Sequence, residues 1–285
     1  MTKKVAIQGI HGAFHEIAAY RYFRELPIEI VECETFEEIT DLLARREIDF
    51  GLMAIENTVA GSLLSNYVLL RESPVKIIGE EYLRIKQNLL SLPGQKMEDI
   101  SEVHSHFMAI NQCREFFKQF PWIKLVESSD TALSAKEIQI KRSKGHGAIA
   151  SDLAAGMYGL EILAEGIETN KRNYTRFLVL SHSDDITPKS CEPTKASLCF
   201  SLPHKKGSLA GVLGTLAEND LNLTKIQSMP ILGKEFRYFF YVDVTFNNYT
   251  KYLQSIFEIS PQIVDFQILG EYTHAIESLE NVHNM

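Results

Sequence analysis

The sequence predicts an α/β protein with a two-lobed, doubly wound N-terminal domain followed by a smaller βαββαβ unit. Strand-like and helix-like segments alternate from the first residues to about residue 182, which is typical of α/β folds. The apolar run at 50–55 lacks polar alternation, as expected for a parallel strand buried on both faces. The order of elements changes after 183–195, a stretch rich in Pro, Ser and Asp, which we interpret as a linker.

The first lobe is assigned to residues 1–77 and 163–182. Its predicted strands are 5–9, 28–33 and 50–55, and its predicted helices are 14–25, 35–46 and a segment from residue 62. Thr35 is followed three residues later by Glu38, a capping-box spacing that places a helix start there.

The second lobe is assigned to residues 78–162, and the chain enters it through one long or two successive strands at 75–92. Its predicted helices are 107–119, 131–142 (capped by Asp130) and 151–158, and its predicted strands are 123–126 and 148–150. The chain returns through 162–169. Two α/β lobes joined by such a crossing predict a cleft between them, which is a favoured place for a small-molecule site.

The C-terminal domain is assigned to residues 196–272 and the polar tail to 273–285. Predicted strands at 196–202, 223–229, 236–245 and 263–269 and helices at 208–219 and 249–259 give the order βαββαβ. This order defines a ferredoxin-like unit.

Composition excludes several classes of function. The 285 residues carry a formal net charge of −8 without a basic stripe, so we expect no nucleic-acid partner. The apolar runs are short and the chain opens directly into a strand, so we expect neither a membrane span nor a signal segment, and we expect a cytoplasmic protein. The cysteines at 33, 113, 191 and 199 lack zinc-ligand and disulfide-framework spacing. No metal or cofactor is expected.

Two turns follow predicted parallel strands, at Gly9–Gly12 and at Glu56–Ser62. Because such turns face one crevice, Gly12, Asn57 and Ser62 are candidate ligand contacts. Two alternatives are equally open: Gly12 belongs to a plain βα turn, and Asn57 only stabilises its own turn.

Two further positions could contribute donors from the second lobe. Ser105 and Gln112 lie two helical turns apart and would share a face if Ser105 caps the helix. Alternatively, Ser105 only satisfies backbone N–H groups and Gln112 is solvated. His11 and His15 are four residues apart but lack a third ligand nearby in sequence, so they do not indicate a metal site.

The segment Asn173–Leu180 places Thr175, Arg176 and Phe177 at the mouth of a buried strand. These side chains could face the cleft, or the segment could be an ordinary strand start with a solvated arginine. No Ser-His-Asp arrangement or convincing pair of carboxylates occurs in the sequence, so hydrolytic and glycosidic chemistry find no support.

Together these motifs resemble the prephenate dehydratase family with a C-terminal ACT regulatory domain, whose catalytic domain is periplasmic-binding-protein-like. The resemblance rests on the opening glycine turn at Gly9–Gly12, on Ile55–Gly61, Ser105-His106 with Gln112-Cys113, Thr131-Ala132, and above all Asn173–Phe177. In the C-terminal unit it rests on Gly207–Ala210 and Asn222–Pro230.

The resemblance implies conversion of prephenate to phenylpyruvate without a cofactor. It places Thr175 at the leaving hydroxyl, and gives Arg176 a role in holding a substrate carboxylate or orienting Thr175. The other implied substrate contacts are Gly12, Asn57, Ser62, Ser105, Gln112, Thr131 and Phe177, and Glu56 is a weaker candidate acid. Because the chain starts in a strand, we expect a monofunctional enzyme without a preceding chorismate mutase module.

The resemblance further implies feedback by L-phenylalanine bound where ACT domains pair in a homodimer or homotetramer. The implied effector residues are Gly207, Ser208, Leu209, Ala210, Asn222, Leu223, Gln227 and Ser228. Gln227 and Met229 replace an acid and a base of the family pattern, so a domain that serves dimerisation without feedback remains open. Ala13 replaces a threonine of that pattern, which removes one implied hydroxyl contact.

Two alternative functions remain at the level of sequence. Arogenate differs from prephenate by an amino group and is the nearest alternative substrate. From a different class, two lobes around a cleft could form a non-catalytic small-molecule sensor joined to an ACT domain. The Asn173–Phe177 motif favours the enzyme, because a sensor has no need of Thr175.

Overall fold

The computed structural model describes residues 2–185 and 192–275. The described residues therefore exclude residues 186–191 of the predicted linker, among them Cys191, and residues 276–285 of the predicted tail. The fold class predicted from the sequence is confirmed: two α/β lobes are followed by a βαββαβ domain. None of the described helices combines the length and apolarity needed to cross a membrane.

The first lobe begins with a parallel β-α alternation. Its first eight elements are β1 (Lys3–Gln8), α1 (Phe14–Tyr22), β2 (Ile28–Cys33), α2 (Phe36–Ala44), β3 (Phe50–Asn57), β4 (Gly61–Ser62), α3 (Leu64–Glu72) and β5 (Val75–Arg84). Strand β1 pairs in parallel with both β2 and β3. Helix α2 starts as predicted, because the Thr35 hydroxyl accepts a hydrogen bond from the Glu38 backbone N–H.

The second lobe contains β6 (Asn88–Ser91), β7 (Glu102–His106), α4 (Phe107–Phe117), β8 (Lys124–Ser128), α5 (Thr131–Lys141), β9 (His146–Ala150), α6 (Asp152–Tyr158) and β10 (Glu161–Ala164). Within the described residues these strands form a five-stranded sheet in the order β10-β6-β9-β7-β8. The chain then returns to the first lobe as β11 (Tyr174–His182), which lies antiparallel between β3 and β5.

The lobe boundary differs from the one expected from the sequence. We expected the crossing near residue 78, but β5 pairs with β11 as far as Arg84, so the chain crosses between Arg84 and Asn88. Residues 161–164, expected in part to belong to the first lobe, pair with β6 in the second. Residues 80–92 contain neither proline nor glycine, so no turn signal marks the point at which the pairing partners change.

The C-terminal domain consists of β12 (Lys195–Ser201), α7 (Ser208–Glu218), β13 (Asn222–Pro230), β14 (Tyr238–Thr245), α8 (Tyr249–Ile259) and β15 (Val264–Tyr272). Its strand order, β13-β14-β12-β15, continues into β5, so the described strands of this domain and of the first lobe share one ten-stranded sheet. The junction pairs Gly270 with Ile77. A Cβ at residue 270 would lie within van der Waals overlap of the Ile77 carbonyl oxygen, so this close approach requires glycine.

Candidate active site

A cavity of about 240 Å³ lies between the two lobes. The first lobe lines it with Gln8, Ala13, Phe14, His15, Ala54, Asn57, Ala60, Leu63, Thr175 and Phe177, and the second lobe with His106, Met108, Ala109, Gln112, Ser129, Asp130 and Thr131. Ile85 and Gln87, from the crossing segment, complete the wall. The cleft expected from the two-lobed alternation is therefore present.

The amino-terminal ends of four helices meet at this cavity. First-turn or capping residues of α1, α3, α4 and α5 all belong to its lining. Each helix start carries the positive end of a helix dipole, which favours an anion. At α4 and α5 the His106 and Asp130 side chains already accept a hydrogen bond from one of the backbone N–H groups. In the described part of the chain, neither lysine nor arginine contributes to the lining. The cavity therefore favours negative charge through backbone groups instead of through a fixed cation.

Thr175 lies within a chain of polar side chains that joins the two lobes. Asn57 Nδ2 donates to Thr175 Oγ1 at 2.9 Å and to Asn173 Oδ1 at 2.7 Å. Asn173 Nδ2 in turn donates to Gln112 Oε1 at 2.9 Å. The Asn57 Oδ1 is held by the backbone N–H groups of residues 59 and 60, so its amide orientation is fixed. The network therefore positions the Thr175 hydroxyl, whose oxygen is the acceptor in its hydrogen bond with Asn57.

Register explains why Asn57 and Thr175 meet. Thr175 pairs directly with Asn57, and Arg176 with Glu56, but the next pair is Phe177 with Ala54. This bulge at Ile55 keeps Ala54 and Asn57 on the side of the cavity together with Thr175 and Phe177.

Two residues of the lining with shifted pKa values, His15 and Asp130, were not singled out as site residues from the sequence. Burial lowers the pKa of His15 to about 4, and its buried Nε2 has no hydrogen-bond partner among the described residues. Burial raises the pKa of Asp130, an effect that the backbone N–H groups at the start of α5 only partly oppose. Asp130 was recognised only as a helix cap, although the neighbouring Thr131 was an expected substrate contact and was the signal that could have identified it.

Arg176 does not line the cavity, contrary to the expected role in binding substrate. Successive residues of a strand point to opposite faces, and Arg176 lies on the face away from Thr175. Its side chain is 2% exposed and donates to Glu80 at 2.8 Å and to the Tyr272 hydroxyl at 2.9 Å. The guanidinium therefore belongs to the contact with the C-terminal domain.

Three other expected contacts are engaged within the fold. Ser105 is fully buried and donates to the Ile149 carbonyl at 2.7 Å. The Gly12 N–H donates to Glu16 at 2.6 Å, and the Ser62 hydroxyl accepts a hydrogen bond from Lys225 at 2.7 Å. These groups stabilise neighbouring segments and none belongs to the cavity lining. The expected contacts that do line it are Asn57, Gln112, Thr131, Thr175 and Phe177.

A known protein family matches the larger part of this chain. The sequence profile described as prephenate dehydratase matches residues 5–185. The chain belongs to the prephenate dehydratase family. It is similar to arogenate dehydratase/prephenate dehydratase 1 of Arabidopsis thaliana, a chloroplastic protein, with 37% identity over 90% of this chain and 64% of that protein. The chain thus spans about two thirds of the length of that relative.

Solved structures share the whole fold, including the C-terminal domain. Prephenate dehydratase from Arthrobacter aurescens in complex with L-Phe superposes with a TM-score of 0.83 at 24% identity, over 99% of this chain and 97% of that one. A protein described as GqqA, a quorum quenching acylase, superposes with a TM-score of 0.86 at 28% identity, over 96% of this chain and 98% of that one.

In this member of the prephenate dehydratase family, the C-terminal domain contacts the strand that carries Asn57. The Lys225 ammonium donates to Glu56 and to Ser62, and Glu56 also lies 3.4 Å from Arg176 Nη1. A bulge between Leu223 and Lys225 turns Lys225 to the face that Asp243 occupies, whereas Leu223 faces the helices. Glu56 is therefore paired with cations and does not line the cavity.

The expected effector residues lie at the start of α7 and along β13. Gly207 adopts a φ of 83°, which glycine tolerates, and the Ser208 hydroxyl donates to the Lys205 carbonyl. Gln227 donates to the Ser228 carbonyl, and Asn222 is exposed. Leu209 and Leu223 pack against the core of the C-terminal domain, so their side chains support the fold of this region. Ala210 is exposed on the first turn of α7.

Proposed function

We propose that this protein is a prephenate dehydratase that converts prephenate to phenylpyruvate, carbon dioxide and water. The observation that carries the proposal is the Thr175 hydroxyl, held by Asn57 at the wall of a cavity formed by four helix amino termini. Family membership supports the same reaction.

The reaction requires little covalent chemistry from the protein. The bond between the ring and its carboxylate breaks, and the electron pair released aromatises the ring and expels the ring hydroxyl, which leaves as water after gaining a proton. Aromatisation supplies the driving force, so the enzyme needs to position a dianion and stabilise the departing oxygen. The helix termini bind the two carboxylates, and the Thr175 hydroxyl donates a hydrogen bond to the departing oxygen.

The test is turnover of prephenate by Thr175→Val and Thr175→Ser. Valine preserves the shape of the side chain but removes the hydroxyl, and we expect turnover to fall by about a hundredfold or more. Serine restores the hydroxyl and should recover most of the rate. Turnover close to that of the unmodified protein in Thr175→Val would remove Thr175 from the mechanism.

Arogenate is the second candidate substrate, because the Arabidopsis relative is named for both activities. An ammonium group in place of the keto oxygen would require an acceptor, and Asp130 and Gln112 are available in the lining. Parallel assays of phenylpyruvate from prephenate and phenylalanine from arogenate distinguish the two, and the larger kcat/KM identifies the preferred substrate.

The geometry favours a lyase over an acylase, and turnover distinguishes a lyase from a sensor. Acyl transfer by a hydroxyl nucleophile needs an adjacent base, but the partner of Thr175 in the described structure is the Asn57 amide, which is not a base. A sensor would bind prephenate without consuming it. Absence of turnover with prephenate and arogenate, together with binding of either compound, would make the sensor the better assignment.

Feedback, assembly and location complete the proposal. L-phenylalanine binds the C-terminal domain near Gly207 and Asn222 and inhibits the enzyme, which assembles as a homodimer or homotetramer through this domain, in the cytoplasm. The Arthrobacter structure in complex with L-Phe supports the ligand by its shared fold. Calorimetry with phenylalanine tests effector binding, and light scattering tests the assembly. If the protein converts prephenate but does not bind phenylalanine, only the catalytic part of the proposal stands.

A further inference from the structure

We propose that the second lobe carries a binding site for a divalent transition-metal cation, formed by Glu102, His104 and His146. These residues lie outside the cavity between the lobes. Glu102 and His104 are two apart on β7 and so share one face of the strand. His146 begins β9 and pairs directly with Glu102, which brings its imidazole beside the other two side chains.

The three ligand atoms have the spacing that one ion requires. His104 Nε2 lies 3.1 Å from His146 Nδ1 and 3.4 Å from Glu102 Oε2, and the remaining separation, between His146 Nδ1 and Glu102 Oε2, is 4.0 Å. Three atoms at these separations lie on a circle of radius about 2.1 Å, which matches the distance from zinc to nitrogen and oxygen ligands. A single ion at its centre would contact all three.

Hydrogen bonding explains the cluster less completely than a cation does. A proton on His104 Nε2 has to be shared between His146 Nδ1 at 3.1 Å and Glu102 Oε2 at 3.4 Å, whereas a cation bonds to all three atoms. The other carboxylate oxygen of Glu102, Oε1, accepts a hydrogen bond from Lys124 at 3.1 Å. This interaction fixes the carboxylate and leaves Oε2 directed towards the imidazoles.

The surroundings leave room for further ligands. His104 and His146 line a cavity of about 240 Å³ that is also lined by Glu137 of α5. The three proposed ligands are between 27% and 35% exposed, so an ion can enter from solvent. Two imidazoles and one carboxylate with open positions suit zinc and other first-row divalent cations, and do not suit calcium or magnesium, which prefer oxygen ligands.

Titration of the chelator-treated full-length protein with Zn²⁺ by calorimetry tests the site. We expect one saturable site per chain, and His104→Ala or His146→Ala should each weaken binding about tenfold or more. His204→Ala removes an exposed histidine outside the cluster and should leave the affinity unchanged. Glu102→Gln retains the shape of the side chain but removes the carboxylate. It replaces an alanine variant that fails to fold, and it should also weaken Zn²⁺ binding.

A second readout is independent of enzymatic activity. Co²⁺ bound by the protein should give a visible absorption band that disappears in His104→Ala and His146→Ala. Absence of saturable Zn²⁺ binding, or equal binding by the unmodified protein and both histidine variants, would overturn the proposal. Neither result bears on the dehydratase assignment, which rests on Thr175 and the separate cavity.

Discussion

The guanidinium of Arg176 and the carboxylate of Asp243 form a buried ion pair that joins β11 of the first lobe to β14 of the C-terminal domain. Glu80 and Lys195 extend the pair into a buried cluster, and Glu56 lies 3.4 Å from the same guanidinium. Burial by itself would raise the pKa of Asp243, but the Arg176 and Lys195 charges outweigh it and hold that pKa below its usual range. One face of β11 thus lines the cavity while the other anchors the second domain.

Arg176→Met should destabilise the protein without removing a group from the cavity. The change leaves Asp243 and Glu80 buried with fewer cations, and we expect a loss of about 3–5 kcal/mol in the free energy of unfolding. Arg114→Met, at an exposed helical position, should change stability by less than about 0.5 kcal/mol. Denaturant unfolding measures both, and a loss below about 1 kcal/mol in Arg176→Met would contradict the assigned role.

Lys225→Met should weaken the response to phenylalanine more than it weakens basal turnover. Lys225 carries the contact from β13 to Glu56 and Ser62, next to the residue that holds Thr175. If effector binding acts through this contact, its loss should raise the phenylalanine concentration for half inhibition by about five- to a hundredfold. Lys225→Arg keeps the charge and should respond nearly normally. Unchanged inhibition in Lys225→Met would show that coupling takes another route.

His15 should make stability fall in acid. Its pKa is about 4 in the folded protein and about 6.5 when unfolded. Between these values the unfolded state binds more protons, so stability rises with pH and is fully present above about 6.5. His15→Leu should reduce the loss between pH 7 and pH 4 by up to about 3 kcal/mol. His204→Leu, at an exposed site, is the control, and an identical acid profile in His15→Leu would refute the assignment.

Asp130 has the opposite dependence on pH. Its pKa is higher in the folded protein than in the unfolded chain, because the folded state binds the proton more tightly. The stability that this provides is fully present below the pKa of the unfolded chain and is lost as the pH rises through the pKa of the folded protein. Asp130→Asn keeps a good capping residue and should remove this loss.

The same change should affect substrate binding. An ionised Asp130 in the cavity repels a dianion, so Asp130→Asn should lower KM for prephenate at pH 8 by about three- to tenfold. Asp152→Asn alters an exposed aspartate at the start of α6 and should leave KM unchanged. A KM in Asp130→Asn that equals the unmodified value from pH 6 to pH 8 would exclude this repulsion.

Local sequence signals located most elements and several residues of the site. The caps at Thr35 and Asp130 start helices where expected, because a capping side chain acts on backbone N–H groups only three residues away. Thr175 and Asn57 were singled out from motifs at strand ends, and the structure places both at the cavity. The crossing between lobes was misplaced, because no proline or glycine separates β5 from β6 and a strand sequence does not specify its pairing partners.

The sequence by itself determined the α/β alternation, the βαββαβ order and the carboxyl-end turns, all of which depend on periodicity and neighbours in the chain. Only the tertiary structure decided which face of β11 meets the cavity, because a bulge in β3 and the docking of Asp243 set that choice. It alone brought His146 beside Glu102 and His104. Long-range pairing fixes such contacts, and pairing between distant strands leaves no local pattern in the residues that take part.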